Sequence, residues 1–413
     1  MDITKIKKYW IHYLWIFILI YPIFSLNVGT PALGNGIFVL MLAIALGGAG
    51  IIVKSKKNDC NKVLLKHYTF LYCYNILLFL IGFLFIPSLL YLKFYISFFI
   101  NILLFSIFYY FNTKPLASID FIHKLIKYVL PCYLIVLISI NLLPSIRYNI
   151  YYLSLFPVLY IFVPLKNKLT LLLLITLTFF SILSNIDYRA LILLNLIGIV
   201  IYLIRIINIP IKLIKITTYF LILLPLFIIL LSVCTGWNPF TILDNSSAQS
   251  FSLAGEKIVM SGDSRSFLFK EIYNHLCKYN ALLWGTTPGI GYQSALMNVD
   301  DDFYNFLKEG RLLTEVGILE FFHFGGFINV ILVLTVFLSA IQIIFKKANS
   351  RLAHIVALYL SIRWCFLFIE GDIAMSVQWL GLFLILGFFT NKDILRLTDK
   401  QLNVIFNQYF RIK

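Results

Sequence analysis

Long apolar runs constrain this chain more than any other feature of its sequence. Stretches such as 169–185 and 322–345 consist mainly of Leu, Ile, Phe and Val. About 20 apolar residues cross a hydrocarbon layer of about 30 Å, and only helices or closed barrels satisfy their backbone groups there. The runs lack the period-2 alternation of barrel strands, so they predict membrane-spanning helices.

Composition supports a membrane protein with many spans. The 413 residues are 61% hydrophobic and only 13% charged, far more apolar than an average soluble chain. The predicted fold class is all-α, a polytopic transmembrane helical bundle of about 12 helices. The expected spans are 10–28, 32–53, 68–88, 89–111, 128–144, 149–164, 169–185, 189–207, 215–234, 322–345, 353–370 and 375–390.

The distribution of positive charge predicts the orientation of these spans. The formal net charge is +16, and most of the 34 basic residues lie in alternate short loops, such as 54–66, 205–215 and 346–351. An excess of Lys and Arg marks cytoplasmic loops, so both termini are expected in the cytoplasm. Because the basic residues are scattered between apolar spans, we do not expect a nucleic-acid partner.

One loop differs in kind from the others. The sequence divides into helices 1–9 at 1–234, a large outer loop with short interfacial helices at 235–321, helices 10–12 at 322–390, and a cytoplasmic tail at 391–413. The large loop holds more than half of the 18 acidic residues. A loop of this length in a tightly connected protein is usually functional. The six cysteines show no CxxC spacing, and no metal site is expected.

Five arginines are predicted on or near the outer side, where the positive-inside rule leaves few basic residues. They are Arg147, Arg189, Arg265, Arg311 and Arg363. In one interpretation they form structural pairs with local acids, Asp187 for Arg189 and Glu370 or Asp372 for Arg363. In the other, several guanidinium groups converge on a polyanionic substrate, because their planar fork matches phosphate oxygens.

The large loop contains further candidate site residues. Its stretch SGDSRSFLFKEIYNHLCKY predicts a surface helix that carries His275. The following GTTPGIG predicts a tight loop, in which Gly289 and Gly291 either form a plain turn or let backbone N–H groups approach a phosphate or sugar. Glu315, near the predicted return to the membrane, is either an ion-pair partner of Arg311 or a general base.

In order, these motifs resemble the O-antigen polymerase and ligase superfamily, and within it the Wzy-type polymerases. The resemblance rests on Arg189 in DYRALILL, Arg265 in SRSFLFKEIYNHL, the Gly-rich GTTPGIG, and a polar residue about eleven positions before Gly326. Ligases of this family usually have histidine at that polar position. Here it is Glu315, which agrees better with the polymerases.

The resemblance implies a GT-C-like membrane glycosyltransferase of the bacterial inner membrane, active in O-antigen (lipopolysaccharide) or capsule biosynthesis. It would transfer a growing glycan from undecaprenyl diphosphate to the next lipid-linked repeat unit on the periplasmic face, without a cofactor. The lipid-linked donor and acceptor, the bilayer and a chain-length regulator protein are the implied partners.

The resemblance also implies residue roles. Arg265 and Arg189 would stabilise the leaving diphosphate and Glu315 would be the base. Substrate contacts would come from Arg311, Arg363, Arg147, His275, Gly289 and Gly291. An O-antigen ligase and a lipid-linked oligosaccharide flippase or other transporter are the alternatives.

Overall fold

The computed structural model describes residues 62–129, 131, 156–165, 167–184, 189–235, 250–253, 256–259, 264–293, 310–312, 314, 316–369 and 376–410. Nearly all of these residues lie in helices or their connections. The helices are α1 Lys62–Gly82, α2 Leu89–Leu104, α3 Ile107–Thr113, α4 Pro115–Lys124, α5 Phe156–Phe162, α6 Lys168–Ser184, α7 Arg189–Ile206, α8 Ile211–Thr235, α9 Ser264–Lys278, α10 Gly317–Lys347, α11 Arg351–Phe366, α12 Ser376–Phe389, α13 Lys392–Arg396 and α14 Asp399–Phe410.

Among the described residues, three stretches are long and apolar enough to cross a membrane. They are Lys62–Phe85, which is α1 with its 3-10 extension, Ile211–Ile228 in α8, and Gly317–Lys347, which is α10. Shorter apolar helical stretches lie at Lys168–Leu183 and Ile192–Ile206. The structure therefore supports a mostly helical chain with membrane-compatible helices. The expected spans at 10–28 and 32–53 lie outside the described residues, as does nearly all of 128–144.

Two features depart from the sequence prediction. The expected single span 89–111 is interrupted at Phe105–Ser106, because the Tyr68 hydroxyl donates to the Phe105 carbonyl over 2.7 Å and tight turns replace the regular helix there. The large loop also contains a short antiparallel hairpin of β1 Ser250–Leu253 and β2 Glu256–Val259, which the sequence prediction did not include.

Helices α1 and α10 form an antiparallel pair. Asn75 and Asn329 are both fully buried and exchange two side-chain hydrogen bonds, of 2.9 and 3.1 Å. Farther along, the Tyr74 hydroxyl donates to Gly325 O, whereas His67 pairs with Ser339 toward the opposite end. The pairing places the start of α1 beside the end of α10, and the end of α1 beside the start of α10.

One end of the helical bundle is basic. The Arg351 guanidinium donates to Ile204 O over 3.1 Å and to Ile207 O, which joins the start of α11 to the end of α7. Arg205 is buried and donates to Val163 O over 3.0 Å and to Tyr160 O, two carbonyls at the end of α5. The same end includes Lys62, Lys66, Lys212, Lys215, Lys346, Lys347, Lys392 and Arg396. We call this the basic end, and the opposite one the loop end.

The segment predicted as a cytoplasmic tail is folded onto the basic end. Asp399, which opens α14, accepts hydrogen bonds of 3.0 Å from the backbone N–H groups of Arg351 and Leu352. The carboxylate thus caps the first turn of α11, where its negative charge also suits the helix dipole. Leu402, Phe406 and Phe410 on α14 are buried. The tail is an integral part of the bundle.

Candidate functional site

The loop end is organised by a break in α10. Gly326 has φ +62° and ψ −161°, a conformation that residues with a side chain rarely adopt. The break removes two regular helical hydrogen bonds, which would have joined Phe327 N–H to His323 O and Ile328 N–H to Phe324 O. Four strong backbone groups therefore need other partners inside a buried segment.

The loop that follows α9 supplies all four partners. Thr286 N–H and Thr287 N–H donate to His323 O and Phe324 O, over 3.0 and 3.1 Å. Phe327 N–H and Ile328 N–H donate to Leu282 O and Leu283 O, over 2.9 and 3.1 Å. We call residues 281–292 the plug loop, because they fill the gap in the α10 hydrogen-bond ladder.

Such close backbone contact requires glycine on both sides. A Cβ on Gly285 would lie 2.3 Å from the Phe324 carbonyl carbon, and one on Gly326 would lie 2.3 Å from that of Leu283. Gly289 and Gly291, predicted to contact substrate, are also closely packed. A Cβ would meet Gly82 O at 1.9 Å in the first case and the Tyr91 hydroxyl at 2.4 Å in the second. Packing thus explains these glycines, and their contact with substrate stays a prediction.

A buried pair of histidines lies beneath the plug loop. The rings of His275 on α9 and His323 on α10 have centroids 5.4 Å apart, and the Tyr292 ring packs 5.2 Å from His323. The Thr286 hydroxyl donates to His323 O over 3.4 Å, so the His275 Nε2–H donates to Thr286 Oγ1 over 3.3 Å. His323 is fully buried, and its ring faces the backbone of Ile290 in the plug loop.

The environment of His275 keeps its imidazole neutral. The side chain lies on the buried face of α9 with Leu268, Ile272 and Leu276. Burial lowers the pKa of His275 to about 4, and the positive charge of Lys278 acts in the same direction. At neutral pH the ring can therefore accept or donate a hydrogen bond without carrying charge.

Arg311 is held at the edge of the same site. Its backbone exchanges two hydrogen bonds with Tyr292, of 2.8 and 3.0 Å, in an isolated antiparallel bridge. Beside this bridge, Gly310 packs against Gly291. The structure thus brings together four of the predicted substrate-binding residues, namely His275, Gly289, Gly291 and Arg311.

Arg363 is buried near the end of α11, and its guanidinium carbon lies 5.3 Å from the centre of the Phe366 ring. This helix end contacts the start of α10, where Ile318 N–H donates to Leu367 O over 3.0 Å. Glu320 is fully buried in the first turn of α10. The first turns of α10 therefore lie between the plug loop and a buried arginine.

For two of the remaining predicted residues, Arg189 and Arg265, the structure gives the position of the backbone. The others lie outside the described residues. Arg189 opens α7, whose other end carries Arg205. The backbone of Arg189 therefore lies at the loop end, about 25 Å along the helix from Arg205. Arg265 is in the first turn of α9, roughly 15 Å along the helix from His275. Arg147 and Glu315 lie outside the described residues, as do Asp187, Glu370 and Asp372.

Three members of this site were not predicted from the sequence, namely His323, Thr286 and Tyr292. Their proximity depends on the plug loop folding into the break of α10. The Gly325–Gly326 pair inside an apolar run was the one sequence signal of that break. Among the described residues, no group of three or more His, Cys, Asp or Glu side chains could hold a metal ion.

Comparison with known proteins yields no relative: no protein-family model matches the chain, and no match is found among curated proteins or solved structures. The resemblance to the O-antigen polymerase superfamily therefore rests on the sequence motifs alone.

Proposed function

We propose that this chain is a polytopic protein of the bacterial inner membrane that polymerises lipid-linked glycan repeat units, as Wzy-type polymerases do. The main support is the segregation of its basic residues. Lysines and arginines cluster at one end of the bundle, as expected for a cytoplasmic side. Arg311 and Arg363 instead lie beside the plug loop and the start of α10, and the backbones of Arg189 and Arg265 lie at the same end of the bundle.

Arginines in that position suit the proposed chemistry. In the transfer step, an acceptor hydroxyl oxygen bonds to the anomeric carbon of the donor glycan, and the bond from that carbon to the diphosphate oxygen breaks. Undecaprenyl diphosphate leaves with the bonding electrons, and the hydroxyl proton passes to a base. Guanidinium groups stabilise the charge that develops on the diphosphate. Arg265 and Arg189 are proposed for that role and Glu315 for the base.

The substrate-binding roles follow the same arrangement. Arg311 lies at the edge of the plug loop and could contact phosphate or sugar, and the neutral His275 could hydrogen-bond a sugar hydroxyl. The buried Arg363 is proposed to contribute positive potential near the start of α10. The bilayer, the lipid-linked donor and acceptor, and a chain-length regulator protein are the proposed partners.

A flippase or other transporter is the second candidate, because interrupted helices occur at transporter binding sites. In such sites the freed backbone groups face a cavity or an ion. Here the plug loop satisfies all four of them. The interruption also lies near one end of α10, not at its middle. Both observations favour the polymerase.

Polymerisation of purified lipid-linked repeat units tests the proposal directly. Wild-type protein should extend the glycan, and Arg265→Lys should lose most of this activity at normal protein levels, because Lys cannot reproduce bidentate contacts to phosphate. Arg396→Lys, at the basic end, is the matched control. Wild-type chain lengths from both Arg265→Ala and Arg189→Ala would refute the diphosphate roles.

Surface glycan in complemented mutant strains separates the alternatives. Loss of a polymerase leaves single repeat units, whereas loss of a ligase or flippase leaves no surface glycan.

Reporter fusions test the orientation: fusions after Lys347 or Lys400 should report cytoplasm, and a fusion near Asp301 should report the outer side. A cytoplasmic signal near Asp301 would overturn the proposed orientation.

A further inference from the structure

The plug loop differs in charge from the large loop to which it belongs. Its sequence, ALLWGTTPGIGY, contains no charged residue, whereas the large loop at 235–321 holds more than half of the acidic residues of the chain. Two of its largest apolar side chains are exposed, Leu283 by 53% and Trp284 by 59%. An uncharged segment that exposes Trp is typical of a membrane contact, because the ring suits the boundary between hydrocarbon and water.

Hydrogen bonds fix the depth of the plug loop along its two neighbouring helices. The Tyr74 hydroxyl donates to Trp284 O over 3.3 Å, and Tyr74 lies about 16 Å before the loop end of the apolar stretch that contains α1. Ile328 N–H donates to Leu283 O over 3.1 Å, and Ile328 lies about 16 Å inside the apolar stretch of α10. Leu283 and Trp284 therefore lie well within the length of both stretches.

The plug loop enters and leaves on the same side of the bundle. Helix α9, which precedes it, runs beside the start of α10, where the His275 and His323 rings are 5.4 Å apart. After Trp284 the chain returns toward the end of α1, where Gly289 packs against the backbone of Gly82. Gly82 lies about 12 Å closer to the loop end than Tyr74 does. This path, toward the middle of the bundle and back, is that of a re-entrant loop.

The surroundings of the loop suit hydrocarbon. Leu77 on α1 and Phe327 and Ile331 on α10 are exposed and belong to stretches that can cross a membrane. Irregular backbone at membrane depth is tolerated only where protein satisfies its polar groups. Four hydrogen bonds to the break in α10 do so here, and Gly285 N–H donates to Ala281 O over 2.7 Å. The break thus supplies the partners that acyl chains cannot.

We infer that the plug loop is a re-entrant segment whose tip, Leu283 and Trp284, lies among the acyl chains of the outer leaflet. The inference rests on the membrane location that belongs to the proposed function, and not on polymerisation. It revises the division of the chain, because part of the large loop at 235–321 then lies inside the membrane.

Quenching of tryptophan fluorescence in nanodiscs tests the position of the tip. The full chain is placed in phosphatidylcholine that carries bromine atoms on its acyl chains, and iodide serves separately as an aqueous quencher. The emission that Trp284→Phe removes is that of Trp284. Two controls in the Trp284→Phe background place tryptophan at other exposed positions. They are Phe220→Trp, in the apolar stretch of α8, and Asn403→Trp, on α14 at the basic end.

Brominated lipid should quench the emission of Trp284 as strongly as that of the tryptophan introduced by Phe220→Trp, and iodide should leave both unchanged. The tryptophan introduced by Asn403→Trp should respond to iodide instead. Quenching of Trp284 by iodide alone would place the tip in water and overturn the inference. Quenching by neither agent would mean that another segment or a second copy of the chain covers the tip, and would also overturn it.

The α8 control and a polymerisation assay in the same nanodiscs distinguish the two proposals. If brominated lipid fails to quench the tryptophan introduced by Phe220→Trp, the proposed membrane location is wrong and the inference is overturned with it. Quenching at both positions without any polymer would leave the re-entrant loop standing and remove the proposed activity. Normal polymerisation, together with quenching of Trp284 by iodide alone, would remove the re-entrant loop alone.

Discussion

The two ends of the helical bundle satisfy their backbone groups in different ways. At the basic end, side chains act as caps: Asp399 accepts from two N–H groups at the start of α11, and Arg351 and Arg205 donate to carbonyls at the ends of α7 and α5. At the loop end, the plug loop supplies backbone partners for the break at Gly326. Side-chain caps tolerate small movements, whereas backbone contacts at glycine do not.

The difference suggests a division of tasks. The basic end resembles an ordinary stable core, in which the buried Arg205 and the partly buried Arg351 donate hydrogen bonds to carbonyls at helix ends. The loop end holds the buried histidine pair beneath the tightly packed plug loop. Variants at the two ends should therefore separate activity from stability.

The largest expected effect is on activity at the loop end. Glu315→Gln keeps the size and hydrogen-bonding capacity of the side chain but removes the proposed base, so the rate of polymerisation should fall by roughly 10²–10⁴-fold. The measurement is in vitro polymerisation with saturating lipid-linked donor. Donor binding should persist in the variant. Glu320→Gln is the control, and loss of activity in that variant alone would transfer the role to Glu320.

The next largest effect concerns the break in α10. Gly326→Val places a branched side chain at φ +62°, against the Leu283 backbone, and should destabilise the protein by more than about 3 kcal/mol. Thermal unfolding of the purified protein measures this. Leu283→Ala alters the exposed side chain at the same contact and should change stability by less than about 0.5 kcal/mol. Similar melting temperatures for the Gly326→Val and Leu283→Ala variants would show that the close backbone contact is unimportant for stability.

The pH dependence of stability tests the buried histidine. The pKa of His275 is about 4 in the folded protein, below the ordinary value of about 6.5 in the unfolded chain. The unfolded state therefore binds the proton first as the pH falls. This histidine's contribution to stability is complete above pH 6.5 and is lost progressively down to about pH 4. We expect a loss of about 1–2 kcal/mol between pH 7.5 and 5, which should be smaller in His275→Gln.

The smallest effect is expected at the basic end. Asp399→Ala removes the cap on α11 and should lower stability by about 1 kcal/mol while leaving polymerisation per folded molecule unchanged. Asp399→Asn keeps an acceptor oxygen and should recover part of the loss. Thermal unfolding and polymerisation of the same preparations give both quantities. A drop in specific activity would contradict the separation of the two ends.

Sequence reasoning predicted the helices well because membrane-compatible helices are specified by local apolar composition. Helices α6, α7, α8 and α12 lie close to the predicted limits. It did not predict the interruption at Phe105, because that depends on the Tyr68 hydroxyl, which is distant in sequence. Contacts between residues distant in sequence also explain why the candidate site was only partly predicted. His275 and Gly291 could be selected from the sequence, but the proximity of His323 depends on how the plug loop folds.

The buried amide pair between α1 and α10 has a consequence for motion at the loop end. If either helix slid by one turn past the other, both hydrogen bonds between Asn75 and Asn329 would break, and buried amide groups would face apolar side chains without those partners. The two helices therefore keep a fixed register. On the proposed function, the opening that admits a large glycan would then come from the plug loop lifting off α10, while the helices beneath it remain in place.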